Sequence, residues 1–275
     1  MKKQYQTISS FHSIKERYNT YLIDIGGVIY DGQNPFKNGI AVINDLIKQH
    51  KQIVFLSNNP RPSFYIEKQL KTFRIVGSYR MVTSGDLLHH TLNTTLKHKK
   101  LYHLGRNRQH ALLEGTDVHL VPSPQDADAI IVSCFVEGNE NHALFDADIE
   151  NIIASGKPIY CPNPDQLALE GSILRYPSGY FAHKLTQLGA HVTYLGKPSR
   201  ILYDFITYLH PDIYFDKKTT IMIGDTLETD VLGAINFGID SLLLLSGVTG
   251  LHTQNNSDVI RQSSYQPTYI MNQLQ

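Results

Sequence analysis

The stretch Tyr21-Leu22-Ile23-Asp24-Ile25-Gly26-Gly27-Val28-Ile29-Tyr30-Asp31-Gly32 decides the fold. Tyr21 to Ile25 is a short apolar run interrupted by one carboxylate and stopped by two glycines. A run of that length, bounded by turn residues, reads as a strand buried on both faces, the kind that parallel sheets use. Asp24 is out of place in such a strand. A lone carboxylate at the carboxyl end reads equally as a structural cap of the next turn or as a chemical group, and the glycines after it let backbone approach a ligand closely.

Working outward, Asn38 caps a helix that carries Ile40, Ile43, Leu46 and Ile47 on one face. Gln52 to Leu56 gives the next strand, which stops at Ser57-Asn58-Asn59-Pro60, and Pro62 suits the first turn of a helix reaching about Phe73. Near the other end, Thr219 to Ile223 is a third buried strand and Gly224-Asp225-Thr226 a turn. Leu227 to Phe237 then reads as a helix closed by Gly238, and Ser241 to Leu245 as a further strand. This alternation predicts an α/β fold built on a doubly wound parallel sheet, in which ligands bind at the carboxyl ends of the strands.

The middle of the chain differs in texture. Ala129 to Ser133 and Pro158 to Cys161 are strand candidates, and Asp146 to Ala154 a helix. The expected division is residues 1–86 as the first part of a core, 87–189 as an inserted α/β domain and 190–275 as the second part of the core. Six of the 13 histidines lie between His89 and His119, without metal-ligand spacing, and read as solvated surface.

The 25 basic and 25 acidic side chains cancel, so neither nucleic acid nor an anionic membrane is an expected partner. Cys134 and Cys161 are too few for a zinc site and read as two buried thiols in a reducing compartment. Met1 to Asn19 is polar and lacks a continuous apolar stretch, which excludes a signal peptide or membrane anchor there and points to a soluble, cytoplasmic protein. The oligomeric state is not legible, and a homodimer stays open.

Asp225 repeats the arrangement of Asp24 on another strand, and Asp230 follows five residues later. Two carboxylates at one helix start fit dipole capping or a cation site. Magnesium takes a few carboxylates and carbonyls with several waters, so Asp24 and Asp225 converging from separate strands suit Mg²⁺. Ser57 offers a hydroxyl and Asn58 a backbone amide to phosphate oxygens, and Lys197 in Leu-Gly-Lys-Pro offers a positive charge. Each feature alone is also an ordinary turn or a surface lysine. No Gly-x-Gly-x-x-Gly, P-loop or Gly-x-Ser-x-Gly signature competes with them.

In this order, IDIGGVIYDG, FLSNNP, GKP and IGDTLETD resemble the four motifs of the haloacid dehalogenase superfamily, across nearly the whole chain. The resemblance implies a Rossmann-like core and transfer of a phosphoryl group to Asp24 as an aspartyl-phosphate, which water then releases. It implies that Asp225 and the Gly26 carbonyl hold Mg²⁺ together with Asp24. It further implies that Ser57 and the Asn58 amide bind phosphoryl oxygens, that Lys197 neutralises charge between nucleophile and phosphate, and that Asp230 orients water or Lys197. The long gap before Lys197, with Asn163-Pro164-Asp165 inside it, resembles the class that inserts an α/β cap after the second motif, as in nitrophenylphosphatase-like and sugar-phosphatase-like members. The expected partner is a small phosphorylated substrate.

One position departs from that pattern. Family phosphatases carry an acid/base aspartate two residues after the nucleophile, and this chain has Gly26. A proton shuttle contributes roughly 10²- to 10⁴-fold, most for poor leaving groups such as sugar alkoxides. Weak or altered phosphomonoesterase activity is therefore expected, with a degenerate domain that binds a phosphorylated ligand or a protein partner as the alternative. Asp31, five residues beyond Gly26, is a poor substitute for the missing acid. Tyr176 and Tyr180 either face the substrate or, as half-buried tyrosines usually do, pack the inserted domain.

Overall fold

The computed structural model describes residues 5–105, 112–136, 141–171, 173–252 and 256–275. Fourteen strands are described: β1 (Gln6–Thr7), β2 (Thr20–Ile23), β3 (Gln52–Ser57), β4 (Arg80–Thr83), β5 (Lys100–Leu104), β6 (His119–Leu120), β7 (Ala129–Val132), β8 (Ile159–Cys161), β9 (Ala168–Glu170), β10 (Ile173–Arg175), β11 (Val192–Tyr194), β12 (Thr220–Gly224), β13 (Asp240–Leu244) and β14 (Tyr269–Met271). Seven of them form one sheet in the order β1-β14-β13-β12-β2-β3-β4, with every pairing parallel. Successive residues of β2 face opposite layers: Tyr21 and Ile23 join one apolar cluster and Leu22 the other. Helices must cover both faces of such a sheet, which accounts for strands that read as continuous apolar runs.

From β2 the chain steps to β3 and β4 on one side and returns through β12 on the other. The carboxyl end of β2 is therefore the topological switch point, where an open α/β sheet leaves a crevice. Between β4 and β12 in the chain lies a second parallel sheet, in the order β11-β8-β7-β5-β6, and a separate antiparallel pair, β9 and β10. The doubly wound core and the inserted α/β layer agree with the sequence. Residue 87, the expected boundary, falls inside the helix Ser84–Asn93, and residue 189 precedes β11, the edge strand of the second sheet.

Local expectations shift by a residue or two except in two places. Asn38 does not cap the first helix: α1 (Lys37–Lys48) begins one residue earlier, at an N-cap, Phe36, that makes no side-chain cap bond. The Phe36 N–H instead donates to the Ile29 carbonyl at 2.7 Å, so a tertiary bond sets the entry of the helix. The segment expected as one helix from Leu227 is a π-helical turn over Leu227–Val231 that continues as a short α-helix, Leu232–Phe237, with Gly238 left-handed at its end. Among the described residues no helix is long and apolar enough to cross a membrane. Both cysteines are buried free thiols, and burial pushes the Cys161 thiol up to about 12.

Leu22 is fully buried in the strand that delivers Asp24. Leu22→Ala is expected to cost roughly 2–5 kcal/mol through lost transfer energy and a residual cavity. Urea unfolding should show a lower midpoint with an unchanged slope, and an unchanged midpoint would contradict this packing.

Candidate active site

Three strand ends and one loop meet at the switch point. Asp24 follows β2 directly, and its backbone N–H donates to the Ile223 carbonyl of β12 at 2.8 Å, which locks the two strand ends together. Its Oδ1 accepts a hydrogen bond from Lys197 Nζ at 2.6 Å, and the same ammonium donates to Asp230 Oδ1 at 2.8 Å. Lys197 is 1% exposed, although a lysine is almost never fully buried without partners. The other Asp230 oxygen, Oδ2, accepts from the backbone N–H groups of Asp225 at 3.0 Å and Thr226 at 3.1 Å.

The π-helical turn makes that fold-back possible. The Asp230 and Val231 amides both donate to the Thr226 carbonyl, at 3.0 and 3.2 Å, which widens the turn around the carboxylate. A Cβ at Gly224 would lie 2.1 Å from Asp230 Cγ, so the strand must end in glycine for Asp230 to reach back. Asp225 is held by the Val248 N–H, which donates to its Oδ2 at 2.6 Å. Gly27, at φ +67°, leaves the space beside it: a Cβ there would sit 2.2 Å from Asp225 Oδ2. The glycine pair after Asp24 thus splits in function. Gly27 is required by backbone and by space, whereas a Cβ at Gly26 meets nothing within 4 Å.

Asp24, Asp225 and Asp230 offer oxygens within 4.8 Å of one another. Three carboxylates against one ammonium leave two unbalanced negative charges in a buried place, a donor set and charge that suit a divalent, oxygen-seeking cation. The titration behaviour carries the same imbalance. Burial pushes the Asp24 carboxyl up to about 7 despite the opposing pull of Lys197, and burial with neighbouring Asp230 raises Asp225 well above the carboxylate range. Burial disfavours the Lys197 ammonium, yet Asp230, Asp24 and Asp165 together hold its pKa above that of an ordinary lysine.

The expected phosphate cradle is placed differently by its two members. Ser57 lines the cavity with Asp24, and its hydroxyl accepts the Asn59 N–H at 3.2 Å. Asn58 also lines the cavity, but its carboxamide is consumed elsewhere: Oδ1 accepts the Lys197 N–H at 2.7 Å, and Nδ2 donates to the Lys197 carbonyl at 3.1 Å and to Asp165 Oδ1 at 2.7 Å. Asp165 lines the same cavity from the loop before β9, and burial pushes its carboxyl up to about 6. Its place at the site was not legible in the chain, because the Asn58 contact spans 107 residues.

Asp31 turns away. Its Oδ1 accepts the Gln33 and Asn34 N–H groups at 2.8 and 2.7 Å, and these bonds, Asn34 foremost, hold its carboxyl below the usual range. Tyr176 and Tyr180 pack on each other, with ring centroids 4.8 Å apart, against the apolar cluster of the second sheet. The packing alternative therefore describes them.

The site cavity measures about 170 Å³, small beside the roughly 300–1,000 Å³ of ordinary ligand pockets. A cleft of about 1020 Å³ adjoins it along Leu167, Thr226, Thr229 and Val248. The larger space contains neither Asp24 nor Lys197, so the charged chemistry belongs to the smaller one.

Two family models match the chain: "Haloacid dehalogenase-like hydrolase" over residues 21–119 and "HAD-hydrolase-like" over residues 194–275. The chain is 25% identical to a dihydroxyacetone phosphatase from Corynebacterium glutamicum, covering 93% of this chain and 89% of that protein. It is 23% identical to an acid sugar phosphatase from Staphylococcus haemolyticus (94% and 95% covered) and 23% identical to the 5'-nucleotidase YutF of Bacillus subtilis (84% and 89% covered). Among solved structures, a haloacid dehalogenase-like hydrolase from Brucella suis superposes with a TM-score of 0.83 at 24% identity, covering 98% of this chain and all of that one. A p-nitrophenyl phosphatase from Archaeoglobus fulgidus superposes with a TM-score of 0.70 at 22% identity, with 93% and 96% covered. These structural likenesses speak to the fold.

Because the folded Asp24 carboxyl titrates at about 7 against an ordinary 3.8, the native state holds that proton more tightly than the unfolded chain. Stability from this group is complete below about pH 3.8 and is lost as the pH rises to about 7. In metal-free buffer the melting temperature is expected to fall more between pH 5 and 8 in the wild type than in Asp24→Asn. Parallel melting curves for the two proteins would contradict the strained, uncompensated carboxylate.

Proposed function

We propose that this chain, which belongs to the haloacid dehalogenase-like hydrolases, is a magnesium-dependent phosphatase acting on a small phosphorylated metabolite through an aspartyl-phosphate on Asp24. One observation carries the proposal: a buried lysine bonded at once to Asp24 and Asp230, with Asp225 in the same carboxylate cluster. In this reading residues 1–86 and the part of 190–275 that follows β11 supply the core, and the second sheet, with β11 at its edge, serves as a cap over the substrate.

Lys197 fixes Asp24 through Oδ1, and Oδ2 is the oxygen that would attack phosphorus. As the new oxygen–phosphorus bond forms, the bond to the leaving group breaks and its electron pair departs on the leaving oxygen. The Ser57 hydroxyl and the Asn58 backbone amide hold phosphoryl oxygens, and the Lys197 ammonium offsets charge between nucleophile and phosphate. Asp24, Asp225 and the Gly26 carbonyl would hold Mg²⁺, which when bound supplies positive charge to the phosphoryl oxygens and relieves the cluster's excess negative charge. Asp230 keeps Lys197 in place. Water then cleaves the aspartyl-phosphate and regenerates Asp24.

The departing oxygen needs a proton when it belongs to an alcohol, and Gly26 has none to give. Leaving groups that depart without protonation, such as acyl, phosphate or enolate oxygens, should be turned over best. The relatives named dihydroxyacetone phosphatase, acid sugar phosphatase and 5'-nucleotidase set the range of metabolites to test. The adjoining cleft of about 1020 Å³ is where such a leaving group would lie. The binding-only alternative draws its support from the same Gly26.

The test is a panel of phosphomonoesters, acyl phosphates and phosphonates with and without Mg²⁺. Turnover should require Mg²⁺ and disappear in Asp24→Asn; no turnover, with a phosphate ligand still raising the melting temperature, would favour binding alone. Because a side chain at position 26 has open space around its Cβ, Gly26→Asp should fold and raise phosphomonoester hydrolysis by roughly 10²-fold or more. An unchanged rate in the folded variant would refute the account of the missing acid.

A further inference from the structure

Lys197 is held at both ends. Its ammonium is fixed by Asp24 and Asp230, but the four-carbon stem reaches them only from a backbone set at the right height, and lysine has many rotamers to lose. That backbone is gripped by a single side chain. The Asn58 carboxamide accepts from the Lys197 N–H at 2.7 Å and donates to the Lys197 carbonyl at 3.1 Å, which fixes which way the amide faces. A primary amide has two N–H bonds, and the second goes to Asp165 Oδ1 at 2.7 Å, a charge-assisted contact from the loop between β8 and β9 of the inserted layer.

The surrounding packing leaves this junction little freedom. A Cβ at Gly196 would fall 2.5 Å from Asn58 Oδ1 and 2.5 Å from Pro164 Cδ, and a Cβ at Gly179 would fall 2.3 Å from the Asp165 carbonyl oxygen. Asn163 adds its own Oδ1, which accepts the Asp165 N–H at 3.0 Å. Three places distant in sequence, residue 58, residues 163–165 and residues 196–197, are therefore packed closely together.

We propose that Asp165 is a positioning residue for Lys197, acting through the Asn58 carboxamide, so that a contact from the inserted layer aims the ammonium at Asp24. Seating of the loop between β8 and β9 and readiness of the phosphoryl site then become one event. The kinetic consequence rests on the phosphatase reading above; the geometric one does not. Asp165 faces the same cavity as Gly26, so the competing role is that its carboxyl replaces the missing acid.

Two substitutions separate these roles. Asp165→Asn keeps an oxygen that accepts the Asn58 N–H but carries neither charge nor acidic proton, whereas Asp165→Ala removes the acceptor. Positioning predicts that Asp165→Asn keeps kcat within about 3-fold of wild type while Asp165→Ala loses roughly 10- to 100-fold, mostly in kcat and less in KM. A crystal structure of Asp165→Ala should show the lysine ammonium displaced from Asp24. Wild-type kcat in Asp165→Ala with the 2.6 Å Lys197–Asp24 contact retained would overturn the proposal. Equal impairment of both variants would overturn it in favour of a charge or proton role. If the wild type turns over nothing, the phosphatase reading fails and the displacement of Lys197 alone decides the positioning role. Should the alanine variant not fold, Asp165→Ser, too short to reach Asn58, takes its place in every measurement.

Discussion

Everything at this site depends on one buried ammonium between two carboxylates. Removing Lys197 from water costs several kcal/mol, and only closely placed opposite charges return that cost. Asp24 at 2.6 Å and Asp230 at 2.8 Å do so, and Asp230 is itself satisfied by two backbone N–H groups from the turn after β12. The consequence reaches through the fold. Gly224 has to leave room for Asp230, the π-helical turn has to widen around it, and Asn58 has to hold the lysine's peptide. Around this cluster the sheet supplies rigid strand ends, so the charges are fixed before any substrate arrives.

The cluster is overcompensated. Three acids share one base, and both Asp24 and Asp225 respond by titrating above the carboxylate range. A protein that buried this set for stability alone would gain from an apolar replacement of similar volume, because buried ion clusters seldom outdo good packing. The excess negative charge makes sense as a receptor for positive charge. It also explains why Gly27 and Gly26 answer to different demands. Gly27 keeps a positive φ and clears Asp225, whereas the space over Gly26 is open, so the backbone does not require glycine there.

Much of this was legible in the chain. The apolar runs ending in Asp24, Ser57 and Asp225 located three adjacent strands of the core, because strands buried on both faces have no polar side to blur the pattern. The parallel order then placed their carboxyl ends together. Local geometry was less visible. Asn38 looked like a cap because capping chemistry is local, but the entry of α1 is set by a bond from Phe36 to Ile29. Leu227 to Phe237 has helical periodicity throughout, and nothing in composition distinguishes a π-turn that exists to accommodate Asp230. Asn58 was readable as a residue of the site and not as a clamp, since its partners stand 107 and 139 residues away.

The same electrostatics bears on whether the glycine at position 26 marks a working or a retired site. Holding a phosphate dianion calls for Lys197, the Ser57 hydroxyl and backbone amides; Asp24 opposes it, because a carboxylate beside the bound anion repels it. An anion-binding domain freed from catalysis would therefore bind better with a neutral side chain at position 24, and Lys197 would still have Asp230 as its partner. Asp24 is instead fully built into the site, bonded to the lysine and anchored by its own N–H to β12. A repulsive group held this firmly is useful when it forms a bond to phosphorus. Under the proposed phosphatase reading, the consequence of Gly26 then falls on the departing oxygen and the nucleophilic half of the reaction is kept.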